Sequence, residues 1–135
     1  MTSFNDPGKD MIIKEIMPYS NTITLNKGDA LTIREDSSHA LYYIDSGKMD
    51  ISYTLDGTKV IVAVLGEKEF FGEIGFFDGI SRVRDITATD DTRIKMFPRE
   101  LVSRMQKEDA ELYGRFITHI ATAICKKFRR VLGET

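Results

Sequence analysis

The chain has 135 residues, 41% of them hydrophobic and 30% charged, with a formal net charge of -2. That length suits one domain, and so weak a charge excludes a general attraction for nucleic acid or an anionic membrane. One cysteine, Cys125, excludes an intrachain disulfide, no apolar run is long enough for a membrane span, and the N-terminus lacks the blocks of a signal peptide, so a cytoplasmic location is expected.

Residues 1–9 are mostly polar with a Pro-Gly pair and read as a flexible arm, leaving 10–135 as the folded domain. Met11, Ile12, Ile16 and Met17 recur at helical spacing, which predicts a short helix stopped by Pro18. From about 19 to 97 the pattern changes to short alternating runs between turn residues. Runs at 22–25, 31–33, 41–44, 49–55, 58–65, 85–88 and 93–97 read as strands, with Ile51, Tyr53 and Leu55 on one face and Val60, Val62 and Val64 on another. Asp56-Gly57 signals a two-residue hairpin. Strands at such regular spacing predict a mainly β fold, an antiparallel double-stranded β-helix or jelly-roll barrel. Two helices follow at about 98–132, the second capped by Asp109 and stopped by Gly133. Tyr113, Phe116, Ile117, Ile120, Ile124, Phe128 and Val131 form its apolar stripe, which must bury itself on the barrel, on a partner helix, or on both. The second option predicts a homodimer joined through this helix.

One stretch breaks the strand rhythm: Phe70-Phe71-Gly72-Glu73-Ile74-Gly75-Phe76-Phe77-Asp78-Gly79, followed by Arg82-Val83-Arg84-Asp85. Five large apolar residues stand where a hairpin would be polar, which predicts a helical turn with its apolar side on the barrel. Glycine allows a close backbone approach, N–H groups at a helix start attract anions, and an arginine returning after Asp78-Gly79 can grip a phosphate in two places. Glu73 repels a phosphate but can accept hydrogen bonds from sugar hydroxyls. By themselves these residues admit equally a plain helix start followed by a solvated arginine.

In this context the chain resembles the cyclic-nucleotide-binding domain of catabolite-activator-type regulators, kinase regulatory subunits and nucleotide-gated channels. Lys27-Gly28-Asp29, Leu41-Tyr42-Tyr43-Ile44-Asp45-Ser46-Gly47 and Phe71-Gly72-Glu73-Ile74-Gly75 with Arg82 and Ala88 carry the likeness, which spans nearly the whole chain. The resemblance implies a sensor for cAMP or cGMP, with no cofactor, in which Arg82 pairs with the cyclic phosphate. It also implies that Glu73 accepts the ribose 2′-hydroxyl, that the backbone from Gly72 to Ile74 completes the cradle, and that Phe71, Val83 and Arg84 flank it. The family favours small or hydroxylated residues after the arginine; here Val83 narrows the site, Arg84 adds a positive group, and Asp85 would repel a phosphate if it turned inward. Thr122 and Phe128 are the candidates to meet the base from the last helix. The alternatives are a cassette that no longer binds nucleotide and serves for dimerisation or docking, or one altered toward a cyclic dinucleotide. Transcription-factor relatives follow the long helix with a helix-turn-helix, and no such segment is expected in 135 residues, so no direct DNA contact is expected. Lys126-Lys127-Phe128-Arg129-Arg130 suits a helix C-terminus. His39, His119 and Cys125 form no catalytic constellation, the chain carries no metal-spaced Cys/His set and no phosphate loop of the hydrolase type, and an enzyme is not expected.

Overall fold

The computed structural model describes residues 9–32, 39–80 and 84–133. The chain divides into two compact units, Asn21–Arg99 and the pairing of Met1–Ser20 with Glu100–Thr135.

The first unit is the β-roll. Its strands are β1 (Asn21–Leu25), β2 (Ala30–Thr32), β3 (Leu41–Ser46), β4 (Met49–Leu55), β5 (Thr58–Leu65), β6 (Phe70–Phe71), β7 (Asp85–Ala88) and β8 (Thr92–Phe97), with helix α2 (Glu73–Asp78) between β6 and β7. They form two four-stranded sheets in the orders β1-β8-β3-β6 and β2-β7-β4-β5, antiparallel throughout. Leu25, Tyr42, Ile44, Phe71 and Ile94 from one sheet meet Met49, Leu65, Ile86 and Ala88 from the other in a single buried cluster. Leu41, Tyr42, Tyr43 and Ile44 are all buried, so β3 is covered on both faces and its apolar run is continuous rather than alternating.

The hairpin predicted at Asp56-Gly57 forms with both residues at positive φ, 51° and 79°, the twist that a tight two-residue connection requires. The single Val60-Val62-Val64 face does not survive. Ile51 pairs with Ala63 but Ser52 pairs with Ile61, so Val62 is an extra residue that shifts the alternation, and Val62 and Val64 end up exposed. On the other side of β4 the buried Asp50 accepts a hydrogen bond from Lys59 Nζ at 3.2 Å through Oδ2, while its Oδ1 has no hydrogen-bond partner among the described residues.

At the opposite end of the strands the turns are tied to one another. Gly28 N–H donates to the Ala88 carbonyl (2.8 Å), Ala88 N–H donates to the Asp29 carbonyl (2.9 Å), and Lys27 N–H donates to Asp91 Oδ1 (2.9 Å). Gly47 turns β3 into β4 at φ 104°, where a Cβ would lie 2.6 Å from the Asp91 carbonyl oxygen and 2.7 Å from Thr92 Cα. The buried Thr92 hydroxyl accepts Lys48 N–H at 3.3 Å and lies 2.8 Å from the Asp90 carbonyl.

The second unit holds α1 (Lys9–Ile16), most of α3 (Arg99–Glu108) and α4 (Ala110–Val131). Pro18 ends α1 as expected, but the chain continues as a 3-10 turn over Met17–Tyr19 with the proline at its start, where a missing N–H costs nothing. Asp109 caps α4 by accepting the Leu112 N–H at 3.0 Å. Arg115 donates to both oxygens of Glu15 on α1 (2.8 and 3.2 Å), and its hydrogen bonds hold the Glu15 carboxyl below the usual carboxylate range. Of the α4 stripe, Phe116 and Ile120 are buried together with Leu112, which the predicted stripe omitted, whereas Phe128 and Val131 are 60% and 81% exposed.

Candidate ligand-binding site

The site is built from the end of β6 outward. Phe71 pairs with Tyr42 across the sheet and their rings stack at 5.0 Å with 9° between planes. The next residue must leave the sheet without room for a side chain. Gly72 does so at φ 78°, ψ 8°, where a Cβ would stand 3.1 Å from the Tyr42 ring and 3.2 Å from the Ala40 carbonyl oxygen. A left-handed residue hard against a neighbouring strand is a glycine position on two counts.

Glu73 opens α2 and is buried, 9% exposed. The first bond of the helical ladder runs from Phe76 N–H to the Gly72 carbonyl at 3.0 Å, so the N–H groups of Glu73, Ile74 and Gly75 precede it. Gly79 closes the helix at φ 74°, donating to the Gly75 carbonyl (3.0 Å), and Asp78 Oδ1 accepts the Ile80 N–H (2.8 Å). Gly75 eases that return, since a Cβ there would lie 3.2 Å from the Ile80 carbonyl oxygen and the chain would have to shift by a few tenths of an ångström. Arg99 fastens the turn from beyond β8: its guanidinium donates to the Phe76 carbonyl and sits 5.4 Å over the Phe76 ring.

The predicted helical turn is therefore present, but its apolar side is not buried as a whole. Phe76 is covered, while Ile74 and Phe77 are 52% and 46% exposed, because the inward positions of so short a helix are taken by Glu73 and Phe76. Phe71, Gly72, Glu73 and Ile74 follow one another across the β6–α2 junction, with Phe71 and Glu73 buried and Ile74 exposed. Arg82 and Val83 lie outside the described residues. Arg84 is described, and its guanidinium lies 5.4 Å over the ring of Tyr53.

Asp85 is settled by register. It pairs with Thr32 and Ser52, next to the Ile86–Ile51 pair, and Ile86 and Ala88 belong to the buried cluster. Alternation then turns Asp85 and Thr87 to the opposite face. Asp85 thus lies on the face of β7 opposite the buried cluster. Thr122 Oγ1 donates to the Thr118 carbonyl one turn back on α4 at 2.9 Å.

Two contributors escaped sequence reasoning. Arg99 looked like the opening of a helix after Pro98, and no local signal marks a long-range clamp. Tyr53 looked like an ordinary inward strand residue; the signal, an arginine one register step beyond the last β4–β7 pair, becomes visible only with the pairing known. Among the described residues no group of three or more His, Cys, Asp or Glu is placed to hold a metal ion, and no helix is long and apolar enough to cross a membrane.

Comparison with known proteins agrees with this geometry. The family model described as the cyclic nucleotide-binding domain matches residues 22–109. A curated relative, the cyclic AMP receptor protein of Thermus thermophilus, is 28% identical over an alignment covering 79% of this chain, and the chain spans 61% of that relative's length. The crystal structure of a cyclic nucleotide-binding domain from Methylobacillus flagellatus superimposes with a TM-score of 0.80 at 17% identity, covering 100% of this chain and 78% of that one. The c-di-GMP-responsive global regulator CLP of Xanthomonas campestris gives 0.76 at 18% identity, covering 88% of this chain and 59% of that one. At such identities the two structures share the fold.

Proposed function

The chain belongs to the cyclic nucleotide-binding domain family, and from that premise we propose that it is a regulatory sensor that binds cAMP or cGMP through the cassette running from Phe71 to Arg84. The observation that carries the reading is the left-handed Gly72 against Tyr42 and Ala40, followed at once by the buried Glu73. In this reading the N–H groups of Glu73 and Ile74 and the Arg82 guanidinium hold the cyclic phosphate, and Glu73 accepts the ribose hydroxyl. Binding then shifts the population between two arrangements of the C-terminal helices, in proportion to the ligand's differential affinity for them. The outward Asp85 and the buried Glu73 support an occupied cassette over one that has lost its ligand.

The sensor works in the cytoplasm as a homodimer joined through α4, a proposal supported by the exposure of Phe128 and Val131. DNA contact is not assigned to these residues. Calorimetric titration with cAMP and cGMP, beside Arg82→Ala, tests the reading. Loss of a charge-assisted phosphate contact costs about 2 kcal/mol, roughly thirtyfold in affinity. Equal binding by Arg82→Ala refutes the phosphate role, and an absence of heat with every ligand refutes the sensor.

A further inference from the structure

The short helix α2 leaves a backbone acceptor over at its end, and a residue of another helix takes it. In a continuing helix the Phe76 carbonyl would receive the Ile80 N–H, but that N–H goes to Asp78 Oδ1 at 2.8 Å. The Arg99 guanidinium donates to the Phe76 carbonyl instead and lies 5.4 Å over the ring of the same residue. Phe76 is buried, and its own N–H donates to the Gly72 carbonyl at 3.0 Å. Arg99 therefore reaches Gly72 through a single residue, which it holds both by backbone and by ring.

Arg99 is also the first residue of α3. Its side chain rests on the cassette while its backbone belongs to the helix, so a shift of one strains the clamp unless the other follows. Further on, α3 and α4 are joined by Asp109 alone, whose N–H donates to the Met105 carbonyl at 2.8 Å and whose side chain accepts the Leu112 N–H at 3.0 Å. A one-residue joint bonded on both sides passes a displacement of α3 on to α4. Arg99 is exposed, so its clamp can open without unfolding the roll.

We infer that Arg99 is a positioning residue that carries occupancy of the Gly72–Glu73 turn to α3 and α4. The inference rests on the binding reading above and names the link that reading leaves open. A ligand that fixes Gly72 and Glu73 also fixes Phe76, one hydrogen bond away, and with it the carbonyl and ring on which Arg99 rests. The clamp is then closed for more of the time, and α3 is held in the arrangement that a closed clamp requires. By reciprocity the closed clamp favours the bound turn, so losing Arg99 weakens ligand affinity only by the factor the coupling contributed.

The test is amide hydrogen exchange on the full chain, read over α2, α3 and α4 with and without cAMP or cGMP at a saturation set by calorimetry. In the parent, ligand should change exchange over α3 and α4 by more than about fivefold. In Arg99→Ala the change over α2 should persist while that over α3 and α4 falls below about twofold. Arg99→Lys, which keeps a charged donor, should restore part of the response. A merely structural role would lower Tm and leave the response at saturation whole, and a thermal melt of each variant separates the two. Should Arg99→Ala fail to fold, Arg99→Lys and Arg99→Gln carry the comparison, and a response equal to the parent's in both overturns the inference. Three other outcomes overturn it and leave the cassette standing: binding by the parent with no response in α3 and α4, an undiminished response in Arg99→Ala, or a complete loss of binding in Arg99→Ala at the parent's Tm, which would make Arg99 part of the site's own shape. An absence of binding by the parent overturns the binding reading and the inference together.

Discussion

Two glycine turns of the roll, at Gly47 and at Gly72, both run at positive φ and both press against a neighbouring strand, yet they are finished differently. Around Gly47 the polar groups bond to one another: the Thr92 hydroxyl with Lys48 and Asp90, the Gly28 amide with the Ala88 carbonyl, the Ala88 amide with the Asp29 carbonyl, the Lys27 amide with Asp91. Around Gly72 the chain opens a short helix whose first amides precede its ladder, and the side chains beyond it, Ile74, Phe77 and Ile80, are exposed. One end of the roll is closed by hydrogen bonds among its own groups; the other leaves a short helix with exposed apolar side chains. The same residue type closes a hairpin joint in the first place and starts a helix in the second.

The largest effect should come from Gly47→Ala. A Cβ there meets backbone at 2.6–2.7 Å, which no rotamer change can relieve, and the φ of 104° adds strain. A loss of about 3 kcal/mol or more is expected in urea unfolding, with no dependence on added nucleotide. A loss below about 1 kcal/mol would show that the joint is softer than its contacts imply. Gly72→Ala comes next, at about 2 kcal/mol, because its Cβ would meet the Tyr42 ring and the Ala40 carbonyl oxygen at 3.1–3.2 Å, longer than the contacts at Gly47, while the φ of 78° adds strain. Here the ligand should matter: at a hundredfold excess over Kd the parent gains about 2.7 kcal/mol from cyclic nucleotide, and the variant should gain much less. Equal ligand-induced shifts in Tm would break the contrast between the two turns. Gly28→Ala, at φ 94° but with open space around it, isolates the conformational cost alone and should lose about 1 kcal/mol.

The helical unit supplies the smallest effect and an independent scale. The hydrogen bonds from Arg115 lower the Glu15 pKa, so this pair's stabilisation is present above the ordinary carboxylate range and fades as pH falls through the lowered value. Both side chains are more than two-fifths exposed, which keeps the contribution small. The difference in Tm between the parent and Glu15→Gln should therefore shrink from pH 7 to about pH 3 and should shrink further with added salt. A difference that grows on acidification would contradict the assignment.

Much of this was legible in the sequence, for physical reasons that can be named. The strands over 49–55, 58–65 and 85–88 follow from alternation and from the Asp56-Gly57 turn, because period and turn chemistry are local. Gly72 and Glu73 were legible because positive φ and a helix start leave a residue signature. What failed was non-local. The bulge opposite Ile51 and Ser52 depends on how two strands twist together, and it undid the Val60-Val62-Val64 face. Whether Asp85 turned in or out depended on its register with Ser52. The Arg99 clamp on the Phe76 carbonyl joins residues 23 positions apart with no periodicity to announce it.

The bulge has a consequence for the protein's life in solution. β5 is the edge of its sheet, eight residues long, and Ile61, Val62 and Val64 stand more than half exposed along it. A flat apolar edge of that length is a template on which further chains can add strand by strand. The extra residue at Val62 bends the edge, and Lys59, drawn back to Asp50, keeps a charge beside it. Removing that one residue would straighten the border and favour strand-by-strand addition of further chains.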